Sequence, residues 1–112
     1  MINRMFSLGG CLSTLSIGLL CLMQPAVAAG DAAAGQKKNS MCIGCHGIET
    51  YKTAYPHTYS VPKIAGQHPQ YIVKALQAYK NGERKHPTMT GIAAGLNDQD
   101  MADLAAYYGQ NK

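Results

Sequence analysis

Cys42, Cys45 and His46 stand together in the run Cys42-Ile43-Gly44-Cys45-His46, and residues of these types at this spacing suit one chemistry above others. On a helix, positions i and i+3 share a face, and i+4 lies beside them. Two thiols so placed can each add across a vinyl group of a single porphyrin, leaving two thioethers. An imidazole one position further on can then reach the iron from the same side. This is the attachment pattern of c-type haem. Gly47 follows, where a residue without a Cβ lets the helix end tightly against the porphyrin. Two other uses of a Cys-x-x-Cys pair compete with this one. A redox dithiol of the thioredoxin kind would want βαβ surroundings, which this sequence does not offer. A structural zinc site needs four ligands, commonly from a second cysteine pair or a closely spaced histidine pair. Beyond residue 28 there is no third cysteine, and His57, His68 and His86 are scattered.

The elements that must position these residues begin after a leader. Arg4 supplies a positive start, a mostly apolar stretch runs from about Leu8 to Met23, and Pro25 breaks it. Ala26-Val27-Ala28 then gives the small residues of a signal-peptidase site, so residues 1–28 read as a cleaved secretory signal peptide and 29–112 as one domain. The stretch is short for a membrane anchor and is interrupted by Ser13, Ser16 and Gly18. Cleavage would remove Cys11 and Cys21, leaving Cys42 and Cys45 alone. Export to a bacterial periplasm is the expectation. An oxidising compartment favours disulfides, so a haem reading requires both thiols to be alkylated instead.

The chain carries a formal charge of +4; Arg4 is the leader's only contribution, which leaves +3 for the rest. That balance suits docking on an acidic protein face and is too weak, and too poor in Arg clusters, for nucleic acid. A domain of about 84 residues buries roughly 60% of its unfolded surface and is marginal unaided. With no Trp anywhere and no Phe beyond the leader, the side-chain core is thin, and a bound porphyrin would fill it.

Three helices are predicted. The first runs from an N-cap at Asp31 through Ala32-Ala33-Ala34 to the Cys-x-x-Cys-His turn. The second opens at Pro69 and closes at Gly82, with Ile72, Ala75, Leu76 and Tyr79 forming one apolar stripe. The third is capped by Asn97 and has Asp98 and Asp100 in its first turn. It repeats the stripe as Met101, Leu104, Ala105 and Tyr108 and ends at Gly109. A shorter helical turn is allowed around Gly91 to Gly95. Between Gly47 and His68, with Pro56 and Pro62, nothing is periodic. That segment reads as a long loop needing something to organise it, such as a haem edge. No stretch shows strand alternation, so the fold class is all-α.

The second iron ligand must come from remote sequence. Met41 is tied to the His46 side, and Met101 sits on a helical stripe where a Met is ordinarily core. Met89 lies in the non-periodic run Lys85-His86-Pro87-Thr88-Met89-Thr90-Gly91 and is the expected ligand, with His86 as its rival. A thioether opposite His46 raises the reduction potential relative to a second imidazole. With both axial positions filled, no site stays open for substrate, which suits electron transfer rather than catalysis.

Taken in order, several motifs resemble the class I cytochromes c, in particular the small bacterial kind similar to one half of a periplasmic dihaem cytochrome. They are Gly30-Asp31-Ala32-Ala33-Ala34-Gly35, the Cys42–Gly47 run, Pro62-Lys63-Ile64-Ala65-Gly66-Gln67 with Tyr71, Gly82-Glu83-Arg84 with Met89, and Leu104-Ala105-Ala106-Tyr107-Tyr108. The resemblance spans essentially all of 29–112. It implies a three-helix cytochrome c fold around one covalent haem c with its iron. It also implies a crossing of first and last helices at Gly35 against Tyr107 or Tyr108, and a Pro62 carbonyl accepting Nδ1–H of His46. Gln67, Tyr71 and Arg84 become pocket residues, with ordinary packing as the alternative. Lys63, Lys74, Lys80, Arg84 and Lys85 are either a solvated face or a basic collar that steers acidic partners. The expected protein is a non-enzymatic monohaem carrier. It would exchange electrons with a donor dehydrogenase and an acceptor oxidase or other cytochrome, with no nucleic acid and no stable membrane insertion after cleavage. The alternative is a haem-bearing relay subunit of a periplasmic dehydrogenase; a sensor or peroxidase would need a labile sixth ligand.

Overall fold

The computed structural model describes residues 29–54 and 57–111; the leader read at 1–28 lies outside them, as do Tyr55, Pro56 and Lys112. Five helices and one short ribbon follow in the order α1 (Ala32–Lys38), α2 (Ser40–His46), β1 (Lys52–Thr53), β2 (Tyr59–Ser60), α3 (Pro69–Lys80), α4 (Pro87–Ala94) and α5 (Asp98–Gln110).

Asp31 caps α1 as expected, its Oδ1 accepting from the N–H of Ala33 at 2.8 Å. The single first helix predicted from the sequence is instead two, divided at Asn39. This residue is nearly buried, with φ −79° and ψ −2°. Its carbonyl accepts from Cys42 N at 2.8 Å and from Ile43 N at 3.0 Å, so it restarts the helix as α2. Gly47 closes α2 by donating its N–H to the carbonyl of Ile43.

The two stripes behave as read. Pro69 opens α3, which ends at Lys80 rather than at the expected Gly82 and buries Ile72 and Leu76. On α5, Asn97 and Asp100 form a reciprocal capping box, with Asn97 Oδ1 accepting from Asp100 N at 2.8 Å and Asp100 Oδ2 from Asn97 N at 3.1 Å. Met101, Leu104, Ala105 and Tyr108 are all buried and join Ile72, Leu76 and Ala93 in one core. Burial of each larger apolar side chain contributes about 1.5–3 kcal/mol.

Three further expectations need correction. Gly109 does not end α5, which continues to Gln110; a Cβ there would come within 2.6 Å of Pro69 Cγ, so this glycine is where α5 passes the start of α3. The segment around Met89 is not a loop. α4 begins at Pro87, so Met89 lies in a helical first turn and the short turn allowed near Gly91 is a full eight-residue helix. The aperiodic stretch after Gly47 contains an antiparallel pair, Lys52 opposite Ser60 and Thr53 opposite Tyr59. Two residues per strand are too few for alternation to show. The domain is otherwise helical, and the all-α class stands.

α1 crosses α5 at Gly35. A Cβ at Gly35 would overlap the carbonyl oxygen of Asp103 and approach Tyr107 Cβ to 2.8 Å, so only glycine admits the contact. Beside the crossing sits a clasp that the sequence did not announce. Asp103, 3% exposed, accepts from the backbone N–H of Asp31 at 2.8 Å, Gln99 Nε2 at 2.8 Å and Lys38 Nζ at 2.7 Å. Lys38 also pairs with Asp100 at 2.7 Å. Hydrogen bonds from Lys38 first, then from Asp31 and Gln99, hold the Asp103 carboxyl down at about 2. The same carboxylates, Asp100 before Asp103, push Lys38 up.

Candidate functional site

A cavity of about 410 Å³ opens between the helices, within the range of small-molecule and cofactor pockets. Every described element except α1 lines it. α2 contributes Met41, Cys42, Cys45 and His46; the ribbon contributes Thr53, Tyr59 and Ser60. α3 and α5 close it with Ile72, Ala75, Leu76, Tyr79, Leu104 and Tyr108, and α4 adds Thr88, Met89 and Ile92. The apolar stripes read from the sequence are thus the walls of a pocket as well as the core.

Cys42 and Cys45 are both free thiols, half-buried, on the last turns of α2. Burial, with a smaller contribution from Cys45, pushes the Cys42 thiol up. His46 follows on the same helix end. Its Nδ1 lies 2.6 Å from the carbonyl oxygen of Pro62. A carbonyl only accepts, so Nδ1 carries the proton and Nε2 keeps its lone pair, the tautomer of a metal-ligating imidazole. The Pro62 contact implied by the resemblance is therefore present. The ion pair of Lys63 with Glu49, at 2.8 Å, bridges the same two segments.

The remaining ligand candidates sort by position. Met101 is fully buried in the core and does not line the cavity, and neither do His57 and His68. Met41 lines it but is 68% exposed and adjacent to Cys42. Met89 and His86 both reach it. The N–H of Met89 is directed at Nδ1 of His86, at 3.4 Å. Here the imidazole accepts through a long contact, which in the neutral ring favours a proton on Nε2 and so disfavours that nitrogen as a metal ligand.

Gln67, Tyr71 and Arg84 all line the cavity. Arg84 donates to the Tyr71 hydroxyl at 3.4 Å and lies 4.8 Å over the Tyr79 ring, so its side chain is held by aromatics rather than by acids. Of the five cations considered as a collar, Lys63 is paired with Glu49 and Lys80 donates to the carbonyl of Leu96. Lys74 and Lys85 are exposed and form no ion pair among the described residues.

Two cavity residues were missed by the sequence reading. The hydroxyls of Thr53 and Tyr108 are buried without a hydrogen-bond partner. Burial chiefly, with Cys42 and Tyr107 adding to it, pushes the Tyr108 hydroxyl up to about 12. Both residues line the cavity, although these two oxygens are themselves covered. No periodicity could have flagged Thr53, which sits in the aperiodic stretch; Tyr108 was read as part of an apolar stripe and as one of two aromatics at the Gly35 crossing, not as a buried hydroxyl.

A helical shell around an apolar pocket, with two unpaired thiols and one correctly protonated imidazole at its edge, defines a haem-binding protein of the c type. The comparisons agree. The Cytochrome c family pattern matches residues 27–111, and the chain belongs to that family. The haem it implies is covalently bound haem c with its iron, which the two thiols, the imidazole and the apolar walls fit.

Among its relatives, cytochrome c4 of Pseudomonas aeruginosa is 44% identical over 98 residues, covering 88% of this chain and 45% of that protein. Cytochrome c-554(548) of Halomonas halodenitrificans is 42% identical over 83 residues, covering 71% of this chain and 95% of that one. The cytochrome subunit of sulfide dehydrogenase of Chlorobaculum tepidum is 31% identical over 86 residues, covering 77% and 74%. The crystal structure of reduced recombinant cytochrome c4 from Pseudomonas stutzeri superposes with a TM-score of 0.61 at 41% identity, over 75% of this chain and 47% of that one. The chain thus spans about half the length of the cytochromes c4 it matches, in keeping with its likeness to one half of a dihaem cytochrome. Among the described residues no helix is long and apolar enough to cross a membrane.

Proposed function

We propose that this protein is a periplasmic electron carrier, taking and giving single electrons on one haem c per chain. Cys42 and Cys45 hold the porphyrin through thioethers, and His46 and Met89 bind the iron. When bound, the haem supplies a one-electron couple at its iron. The chain's own residues do the rest. The Pro62 carbonyl fixes the ring and tautomer of His46. The stripes of α3 and α5 exclude water, and the α4 turn presents Met89 to the pocket. With His46 and Met89 both holding the iron, no room would be left on it for a substrate, which supports a carrier rather than an enzyme.

The observation that supports this best is the pair of opposite tautomers: His46 keeps Nε2 available, whereas His86 spends Nδ1 on the Met89 N–H. The test is a pair of spectra, oxidised and reduced, on exported protein. Sharp reduced bands and an iron–sulfur charge-transfer band in the oxidised form are expected, and Met89→Ala should abolish the latter. A band that survives in Met89→Ala, or carbon monoxide binding readily to the untreated ferrous protein, would sink the ligand assignment. Export is read from the mass of the mature chain, which should begin at Ala29 after cleavage behind Ala28.

A second reading has its own support. The match to a cytochrome subunit of sulfide dehydrogenase favours a relay role, in which this chain stays bound to a catalytic dehydrogenase subunit. Co-purification with such a subunit would establish it; a free monomer reducing an acceptor cytochrome would establish the carrier. In either role the exposed Lys74 and Lys85 favour an acidic partner face, which predicts association rates that fall with ionic strength.

A further inference from the structure

Tyr59, His86 and Met89 all line the cavity, and His86 touches both of the others. His86 was a rival ligand by sequence, but its surroundings give it another use. Its ring packs edge-on against Tyr59, centroids 4.7 Å apart and planes at 61°. Its backbone is extended, with φ −156° and ψ 111°, and it stands immediately before α4. The first N–H groups of a helix have no partner within it. At α4, Pro87 has no N–H, and His86 itself serves the next needs. Its carbonyl accepts from Thr90 N at 2.8 Å, and its Nδ1 accepts from Met89 N at 3.4 Å. Histidine is not among the residues favoured for this cap. Ser, Thr, Asn or Asp would accept the same proton, but none offers a flat ring for an aromatic residue to brace.

We infer that His86 is a positioning residue, a helix cap braced by Tyr59 that fixes the first turn of α4 and with it the place of Met89 in the cavity. The ribbon β1–β2 acquires a purpose, since it carries the brace. The Met89 amide is held by His86, and His86 in turn by the Tyr59 ring carried on a separate element. This inference rests on the reading of Met89 as the iron ligand.

The test compares His86→Ala, which removes cap and ring, with His86→Asn, which restores a strong cap without the ring, in the exported, haem-loaded protein. Two rates are measured: hydrogen exchange of the Met89 amide by NMR, and binding of imidazole to the ferric protein, which must wait for Met89 to leave. In His86→Ala both should rise about fivefold, equivalent to the roughly 1 kcal/mol lost with a capping acceptor at 1.4 kcal/mol per tenfold. His86→Asn should bring both back to within about twofold of the parent, because Asn is a preferred cap. Tyr59→Leu should raise both about twofold, the smaller effect expected of one lost aromatic edge contact. Parent rates in His86→Ala, or rates in His86→Asn as fast as in His86→Ala, overturn the inference. Should His86→Ala fail to take up haem, Tyr59→Leu carries the test, and parent rates there overturn it equally. The two failures separate cleanly. A charge-transfer band retained in Met89→Ala overturns the ligand assignment, whereas its loss there beside parent rates in the His86 and Tyr59 variants overturns the positioning role alone.

Discussion

His46 and His86 both line the cavity, and in each a hydrogen bond at Nδ1 decides what the other nitrogen can do. At His46 the partner is a carbonyl, so the proton sits on Nδ1 and Nε2 is left basic. At His86 the partner is an N–H, which favours the proton on Nε2. The difference teaches that a histidine near a metal pocket is not a ligand by virtue of reach. What its far nitrogen touches comes first, and that contact is invisible in a residue list.

The largest expected effect that could break this contrast is at His46. His46→Ala should abolish six-coordinate spectra and cut the yield of pigmented protein roughly tenfold or more, as loss of a ligand does where folding and cofactor binding are coupled. The measurement is the reduced-minus-oxidised spectrum with a haem stain of denatured protein. Next is the reduction potential. Met89→Ala should lower it by on the order of 0.1 V, part of the roughly 0.8 V range that axial ligands command. His86→Ala should move it far less; equal shifts in the two variants would dissolve the contrast.

A third variant sharpens the contrast from a distance. Asp103 sits in the α1–α5 clasp and does not line the cavity, so Asp103→Asn should change stability without moving the spectrum or the potential. Its carboxyl lies below its ordinary 3.8, at about 2. Stability from a depressed acid is fully present above the unfolded value and is lost as pH falls through the folded one. The parent should therefore lose roughly 1–2 kcal/mol between about pH 4 and pH 2, a range discounted for the part-exposed Lys38 partner, and Asp103→Asn should lose much less over that span. Acid unfolding followed by circular dichroism reads this; identical acid profiles would remove the clasp. Smallest is Pro62→Ala, which keeps the carbonyl that fixes His46. It should cost less than about 1 kcal/mol, through a freer unfolded chain, and leave the spectrum unchanged. Thermal unfolding beside the oxidised spectrum checks both.

The parts legible in the sequence are those whose causes lie close together along the chain. Cys42, Cys45 and His46 depend only on helical spacing. The stripes of α3 and α5 announce themselves by period, and Asn97 and Asp100 by their local cap. What escaped detection depends on remote partners or on too few residues. α4 begins with Pro87 behind a histidine cap, and its Gly91-Ile92-Ala93-Ala94 run has no polar side to define a stripe. The ribbon has two residues per strand. Asp103 reads as one more acid on a helix, because its partners Asp31 and Lys38 lie 72 and 65 residues away. The cap at His86 is local in sequence, yet its brace comes from Tyr59, 27 positions earlier.

The crossing at Gly35 has a consequence for the order in which the protein matures. It joins backbone segments that an emerging chain releases far apart in time, and closing so long a span is entropically slow. Until α5 arrives, the wall made by Leu104 and Tyr108 is missing, and the thiols on α2 stay open to whatever enzyme must sew a porphyrin onto them. Late closure thus leaves a natural window for covalent assembly. A cross-link that pinned α1 to α5 early would shut that window and leave a colourless protein.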